Sequence, residues 1–151
     1  MGQYHPQDAL AYESTGHRVF HIGGESYLNF QTTYVRNQGA IWGLFSDMPD
    51  PWRTWVFDMI ALIVLIVVIR MFRKSPPEDI FFRIALCFVL GGGLGNIGDR
   101  MNLKYVIDWL HFSWRVFGWE YSFPVFNIAD VSINIGMIML MIHPLITKKP
   151  V

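Results

Sequence analysis

Two aspartates, Asp108 and Asp130, are the hardest residues of this chain to explain without a function. Asp108 lies inside an apolar pentapeptide, Val106–Ile107–Asp108–Trp109–Leu110, and Asp130 follows Asn127 at the start of a long apolar run. An ionisable side chain among residues bound for a bilayer is expensive, and is a functional candidate by default. Two carboxylates brought together cannot both ionise comfortably, so they share a proton. One then serves as general base on a water while the other protonates or polarises a peptide carbonyl. That scheme hydrolyses a peptide without a metal. Position alone leaves a working pair and two structural carboxylates equally open.

Other polar residues gather near the same two places. Asn96 stands three and four residues before Asp99 and Arg100, and Asn127 three before Asp130, so each set shares one helix face. Each has a plain structural reading. Asp99 and Arg100 read as a helix-end ion pair, and Asn96 and Asn127 as interhelical hydrogen-bonding groups. Asp58 has no polar neighbour at helical spacing and reads as a solvated or water-lined side chain.

Rival chemistries lack their residues. His5, His17, His21, His111 and His143 show no HExxH or comparable spacing, so no metal site is expected. His143, before Pro144, reads as a helix-end residue. No serine occupies a nucleophile elbow. The glycines at 91–95 lack the GxxxxGK[ST] pattern of a phosphate loop. No cofactor is implied. Cys87, the single cysteine, excludes an internal disulfide and reads as an inert thiol in an apolar run.

The elements that must position these groups are membrane elements. The chain has 151 residues, the length of one domain, and only 16% are charged. A soluble domain carries about a quarter. Net charge is zero, so the basic stripe of a nucleic-acid partner is missing. Three stretches are long and apolar enough to span a bilayer, at about 52–72, 80–97 and 125–146. Gly91, Gly92, Gly93 and Gly95 would weaken an exposed helix, but in a membrane they mark a closely packed face.

Arg70, Arg73 and Lys74 after the first span, with Lys148 and Lys149 at the end, place both segments in the cytoplasm. The stretch from Asp99 to Pro124 is then an outer loop. Its Trp109, Trp114 and Trp119 suit an outer interfacial belt, with Trp52 and Trp55. Residues 1–51 form an outer segment. Within it, Val19–Ile22, Gly23–Gly24 and Tyr27–Val35 carry a β-hairpin signature, predicting a small sheet on the outer membrane surface. Residues 1–18 lack the apolar centre of a signal peptide.

Three segments together resemble the lipoprotein signal peptidases of bacteria, also called type II signal peptidases. They are Tyr34–Val35–Arg36–Asn37–Gln38–Gly39–Ala40; Gly91 to Arg100 followed by Val106–Ile107–Asp108; and Phe126–Asn127–Ile128–Ala129–Asp130. The likeness covers residues from about 27 to 146. It implies a membrane aspartic endopeptidase that removes signal peptides from prolipoproteins, cutting before a cysteine that bears a diacylglyceryl group. Its partners would be lipid-modified prolipoproteins and membrane lipid, in the bacterial inner membrane with the active site at the outer face. By the resemblance Asp108 and Asp130 are the catalytic aspartates, and Asn37, Gly39, Asn96, Arg100 and Asn127 belong to the substrate-binding site. Ala40, Gly92, Asp99 and Ala129 match structural motif positions.

The implied fold is an α-helical membrane bundle with a small extracytoplasmic β-sheet. Family members normally have four spans, the first ending with an aspartate and a lysine. Residues 1–20 are too polar to be that helix, so a preceding N-terminal segment is expected, the alternative being a divergent member. Two other functions stay open at this point: a non-catalytic relative that binds lipidated precursors, and a small ion- or proton-coupled membrane protein.

Overall fold

The structure, a computed structural model, describes residues 17–37 and 52–147. They fall into two compact units. One comprises 17–37 and 107–126 and holds the sheet; the other comprises 52–106 and 127–147 and holds the helices.

The helical unit contains α1 (Trp52–Lys74), α2 (Ile80–Leu103) and α3 (Ile128–Ile146). All three are long and apolar enough to cross a membrane, so the protein is a multi-pass membrane bundle. α1 runs two residues past its expected end and stops before Ser75–Pro76–Pro77, where the prolines supply no backbone N–H and disfavour helix in the residue ahead. Ser75 closes the last turn by donating from Oγ to the Phe72 carbonyl at 2.7 Å. α2 starts one residue after its cap Asp79, whose Oδ1 accepts from the Phe82 N–H at 3.1 Å. α3 starts three residues later than the apolar run suggested, because Asn127 caps it.

α2 is longer than its hydropathy implied. It continues beyond Ile97 through the Gly-rich stretch to Leu103 and ends where Lys104 turns left-handed at φ 71°. The glycines permit this because their neighbour is another helix rather than water. A Cβ on Gly92 would stand 2.3 Å from the Ala129 carbonyl oxygen, and one on Gly95 3.3 Å from the Ala129 Cβ. Gly91 and Gly93 meet nothing within 4 Å, so only part of the run is the packed face. A second close approach is Gly136 of α3, where a Cβ would meet the Ala85 carbonyl oxygen at 2.6 Å. Val68 of α1 joins Leu86 and Val89 of α2 in the buried core, with Phe72, Phe82, Leu90 and Leu140 packed around it.

The start of α2 and the end of α3 are also joined. His143 Nε2 lies 2.7 Å from Asp79 Oδ2, and its ring packs 4.9 Å from that of Phe82. His143 is thus an interhelical tie as well as a helix-end residue.

The sheet unit is built from β1 (His17–Gly23), β2 (Tyr27–Asn37), β3 (Val106–Val116) and β4 (Trp119–Ser122), in that spatial order. The β1–β2 hairpin falls where the glycine pair predicts it, with somewhat longer strands. The stretch read as an outer loop is a second antiparallel hairpin, with Val116 facing Trp119 across a two-residue turn. Phe117 and Gly118 both have positive φ, 50° and 79°, as a type I′ turn requires. The strand escaped prediction because Val106–Leu110, apolar but for Asp108, shows no period of two.

The sheet has two chemically distinct faces. Phe30 stacks on Phe112 at 4.5 Å, flanked by Phe20 and Phe126. On the other face runs a polar row. Asn29 Nδ2 donates to Ser113 Oγ at 3.3 Å, Gln31 Nε2 lies 2.9 Å from His111 Nδ1, and His111 Nε2 lies 2.7 Å from Ser122 Oγ. These pairs run in opposite chain directions along β2 and β3, so the central strands are antiparallel.

Candidate active site

Each aspartate singled out in the sequence is held by an asparagine, and each within its own unit. In the sheet unit, Asp108 is on β3, with Val106 and Leu110 on the same buried strand face, and is itself only 3% exposed. A carboxylate so far from water needs a donor. Asn37, at the end of β2, supplies one: its Nδ2 donates to Asp108 Oδ2 at 2.8 Å. The two residues are 71 apart in sequence. Gly39 and Ala40, the rest of that motif, lie outside the described residues.

In the helical unit, Asp130 occupies the first turn of α3. Its Oδ2 accepts from the Asn127 N–H at 3.1 Å, while the Asn127 Oδ1 accepts from the Asp130 N–H at 3.0 Å. This is a capping box, two backbone donors satisfied reciprocally at the helix start. Asn96 of α2 completes the group. Its Nδ2 donates to Asp130 Oδ1 at 2.9 Å and its Oδ1 accepts from Asn127 Nδ2 at 3.2 Å. Both carboxylate oxygens of Asp130 are thereby oriented by donors from two elements. The expected interhelical role of Asn96 and Asn127 is met, and both also fix the aspartate. Ala129 sits beside this network with its carbonyl against Gly92, so the small residue at 92 lets α2 come close enough for Asn96 to reach.

Arg100, also on α2, has its Nε 3.7 Å from Asp58 Oδ1 of α1. Asp58 is 45% exposed, in keeping with a solvated side chain, and its partner is on another helix, where helical spacing gives no hint. The Arg100 ion pair seen in the structure is therefore interhelical, while Asp99 lies one position earlier on α2.

Sequence spacing also missed the polar row around His111. Burial lowers the His111 pKa from its ordinary 6.5, which favours the neutral ring. Its alternation with Ser113 along β3 would have been the signal, had that stretch been read as a strand. Among the described residues no cluster of His, Cys, Asp or Glu has the make-up of a metal site.

Residues 9–146 match the family model described as signal peptidase (SPase) II. The chain belongs to the signal peptidase II family. The lipoprotein signal peptidase of Alteromonas mediterranea is 40% identical over 113 residues, which are 75% of this chain and 59% of that one. That of Anaeromyxobacter sp. is 35% identical over 118 residues, 76% of this chain and 54% of its own. That of Clostridium acetobutylicum is 39% identical over 113 residues, covering 75% and 68%. This chain thus spans between half and two-thirds of the length of the first two signal peptidase II relatives. A solved bacterial membrane enzyme, obtained by the in meso method, superposes with a TM-score of 0.63 at 32% identity, covering 86% of this chain and 76% of the other. A second such structure gives 0.64 at 31% identity.

Proposed function

We propose that this protein is a membrane aspartic endopeptidase that removes signal peptides from diacylglyceryl-modified prolipoproteins, cleaving before the lipidated cysteine. Asp108 and Asp130 are its catalytic pair. The observation that carries the reading is the matched support of the two aspartates, with an asparagine carboxamide on each at 2.8 and 2.9 Å. A structural carboxylate needs a donor; two donors that also fall in the family's motifs favour groups held for chemistry.

In this mechanism the pair holds one proton. The ionised carboxylate takes a proton from water, whose oxygen attacks the scissile carbonyl carbon. The protonated carboxyl donates to the carbonyl oxygen as negative charge develops there. Collapse of the tetrahedral intermediate breaks the C–N bond, and a proton passes to the departing amine of the lipidated cysteine. Asn37 and Asn96 keep the carboxylates in their working rotamers. Arg100, Asn127 and Gly39 contribute to substrate binding, while Ala40, Gly92, Asp99 and Ala129 set the backbone. The lipid tails remain in the bilayer while the bond to be cut lies at its outer interface. The basic residues after α1 and at the C-terminus favour the cytoplasm for both segments.

The test is incubation of the purified, reconstituted chain with a diacylglyceryl-modified prolipoprotein. Wild type should release the signal peptide, and Asp108→Asn and Asp130→Asn should each lose at least about 100-fold in rate. Cleavage that survives either change would overturn the pair. Binding of the precursor without cleavage by wild type would favour a non-catalytic member of the family.

A further inference from the structure

Asn134 is a polar side chain for which the reaction above has no use. It lies on α3 between Ile133 and Ile135, and residues 131–142 hold no other polar side chain except Ser132. A carboxamide within a span is expensive. Ser132 is accounted for, since its Oγ donates to the Phe88 carbonyl of α2 at 2.7 Å and ties the two helices. Asn134 is not. It is exposed, and among the described residues its side chain makes a single hydrogen bond, from Nδ2 to the Asp130 carbonyl of its own helix at 2.8 Å. One N–H and the whole of Oδ1 stay unused.

Its place on the helix says what it accompanies. Asn127, Asp130 and Asn134 stand at i, i+3 and i+7, one stripe along α3. Ala129 and Gly136, the positions packed against α2, lie on another face. The bond to the Asp130 carbonyl draws the carboxamide back toward that residue. Asn134 follows Asp130 by four residues, about 6 Å farther into the span. We propose that Asn134 is a further substrate-binding residue, which pairs with the backbone of the signal peptide just ahead of the scissile bond. The inference rests on the substrate proposed above.

The hydrogen-bonding chemistry selects backbone over lipid. A bond to be cut must lie in an unwound stretch, whose N–H and C=O groups find no partner in a bilayer. Asn134 offers one donor and one acceptor, the complement of a peptide unit. The ester groups of the diacylglyceryl moiety only accept, and would leave Oδ1 unpaired. A signal peptide also runs from the cut into the apolar phase, the direction in which Asn134 follows Asp130. About 6 Å is close to two residues of extended chain, so the contact falls on the second or third residue before the cysteine.

The experiment uses the full chain in nanodiscs and a diacylglyceryl-modified prolipoprotein peptide, unmodified or N-methylated on the backbone at the second or the third residue before the cysteine. Binding is measured in an Asp108→Asn background, and cleavage with the wild type. At one of the two positions the methyl should weaken binding about three- to tenfold, the worth of one hydrogen bond. Asn134→Leu should bind the unmodified peptide weaker by a similar factor and be indifferent to that methyl. Methyl effects of equal size with and without Asn134→Leu overturn the proposal, because the methyl then acts through its bulk alone. Unchanged binding of every peptide by Asn134→Leu overturns it as well. So does an equal loss on all peptides with a lowered unfolding midpoint, which would make Asn134 a packing residue. Asn134→Ala repeats the comparison with less bulk. A wild type that shows this binding pattern but does not cleave would sink the aspartate reaction and leave the Asn134 contact standing.

Discussion

Asn96 of α2 donates to Asp130 of α3 at 2.9 Å while accepting from Asn127, so one carboxamide links two helices and fixes a carboxylate. Removing it leaves Asp130 with its capping interaction but without a donor on Oδ1. Asn96→Ala, and equally Asn37→Ala beside Asp108, should lower kcat for prolipoprotein cleavage by about 10- to 100-fold. KM should change less. Steady-state kinetics on the two variants check this; an effect confined to KM would make the asparagines substrate contacts only.

The close approach of α2 and α3 at Gly136 leaves no room for a side chain, since a Cβ there meets backbone at Ala85 and Val89. Gly136→Ala should destabilise the helical unit by about 1–3 kcal/mol. Gly91→Ala, on an open part of α2, should be neutral or stabilising by up to about 1 kcal/mol. Unfolding in mixed micelles compares them directly, and equal effects would contradict the assigned packed face.

The Arg100–Asp58 pair is spaced at 3.7 Å with Asp58 45% exposed, so water and salt screen it. Asp58→Asn should cost less than about 1 kcal/mol. If Arg100 serves substrate binding, Arg100→Lys should raise KM while Asp58→Asn leaves it nearly unchanged. A matching rise in both variants would assign Arg100 a role mediated by Asp58.

His111 supplies a pH dependence. Burial holds its folded-state pKa below the ordinary 6.5. Its stabilising contribution is complete above about 6.5 and is lost as pH falls through the lowered folded value, because only the unfolded chain readily takes the proton. Ring geometry agrees, since the Gln31 amide already approaches Nδ1 and Ser122 approaches Nε2. His111→Gln should flatten the acid side of the stability profile, measured as unfolding midpoints between pH 5 and 7. An unaltered profile would remove His111 from the account.

Local composition determined the three membrane helices, the β1–β2 hairpin and the family motifs. Hydropathy over some twenty residues, a glycine pair between β-branched runs, and short ordered motifs are all properties of neighbouring residues. They suffice to find Asp108 and Asp130 and to place Asn127 one turn from Asp130. Tertiary structure alone decided their partners. Asn37 reaches Asp108 across 71 residues, Asn96 reaches Asp130 across 34, and Arg100 is paired with Asp58 of another helix. It also turned the presumed outer loop into β3 and β4 and carried α2 through its glycines to Leu103. The physical reason is the same in each case. A strand that opens with apolar residues on both faces and a helix rich in glycine lose their local signature, and are stabilised by what packs against them. Where the carboxylates themselves are concerned, sequence marked two costly groups, and folding supplied the donor that holds each one.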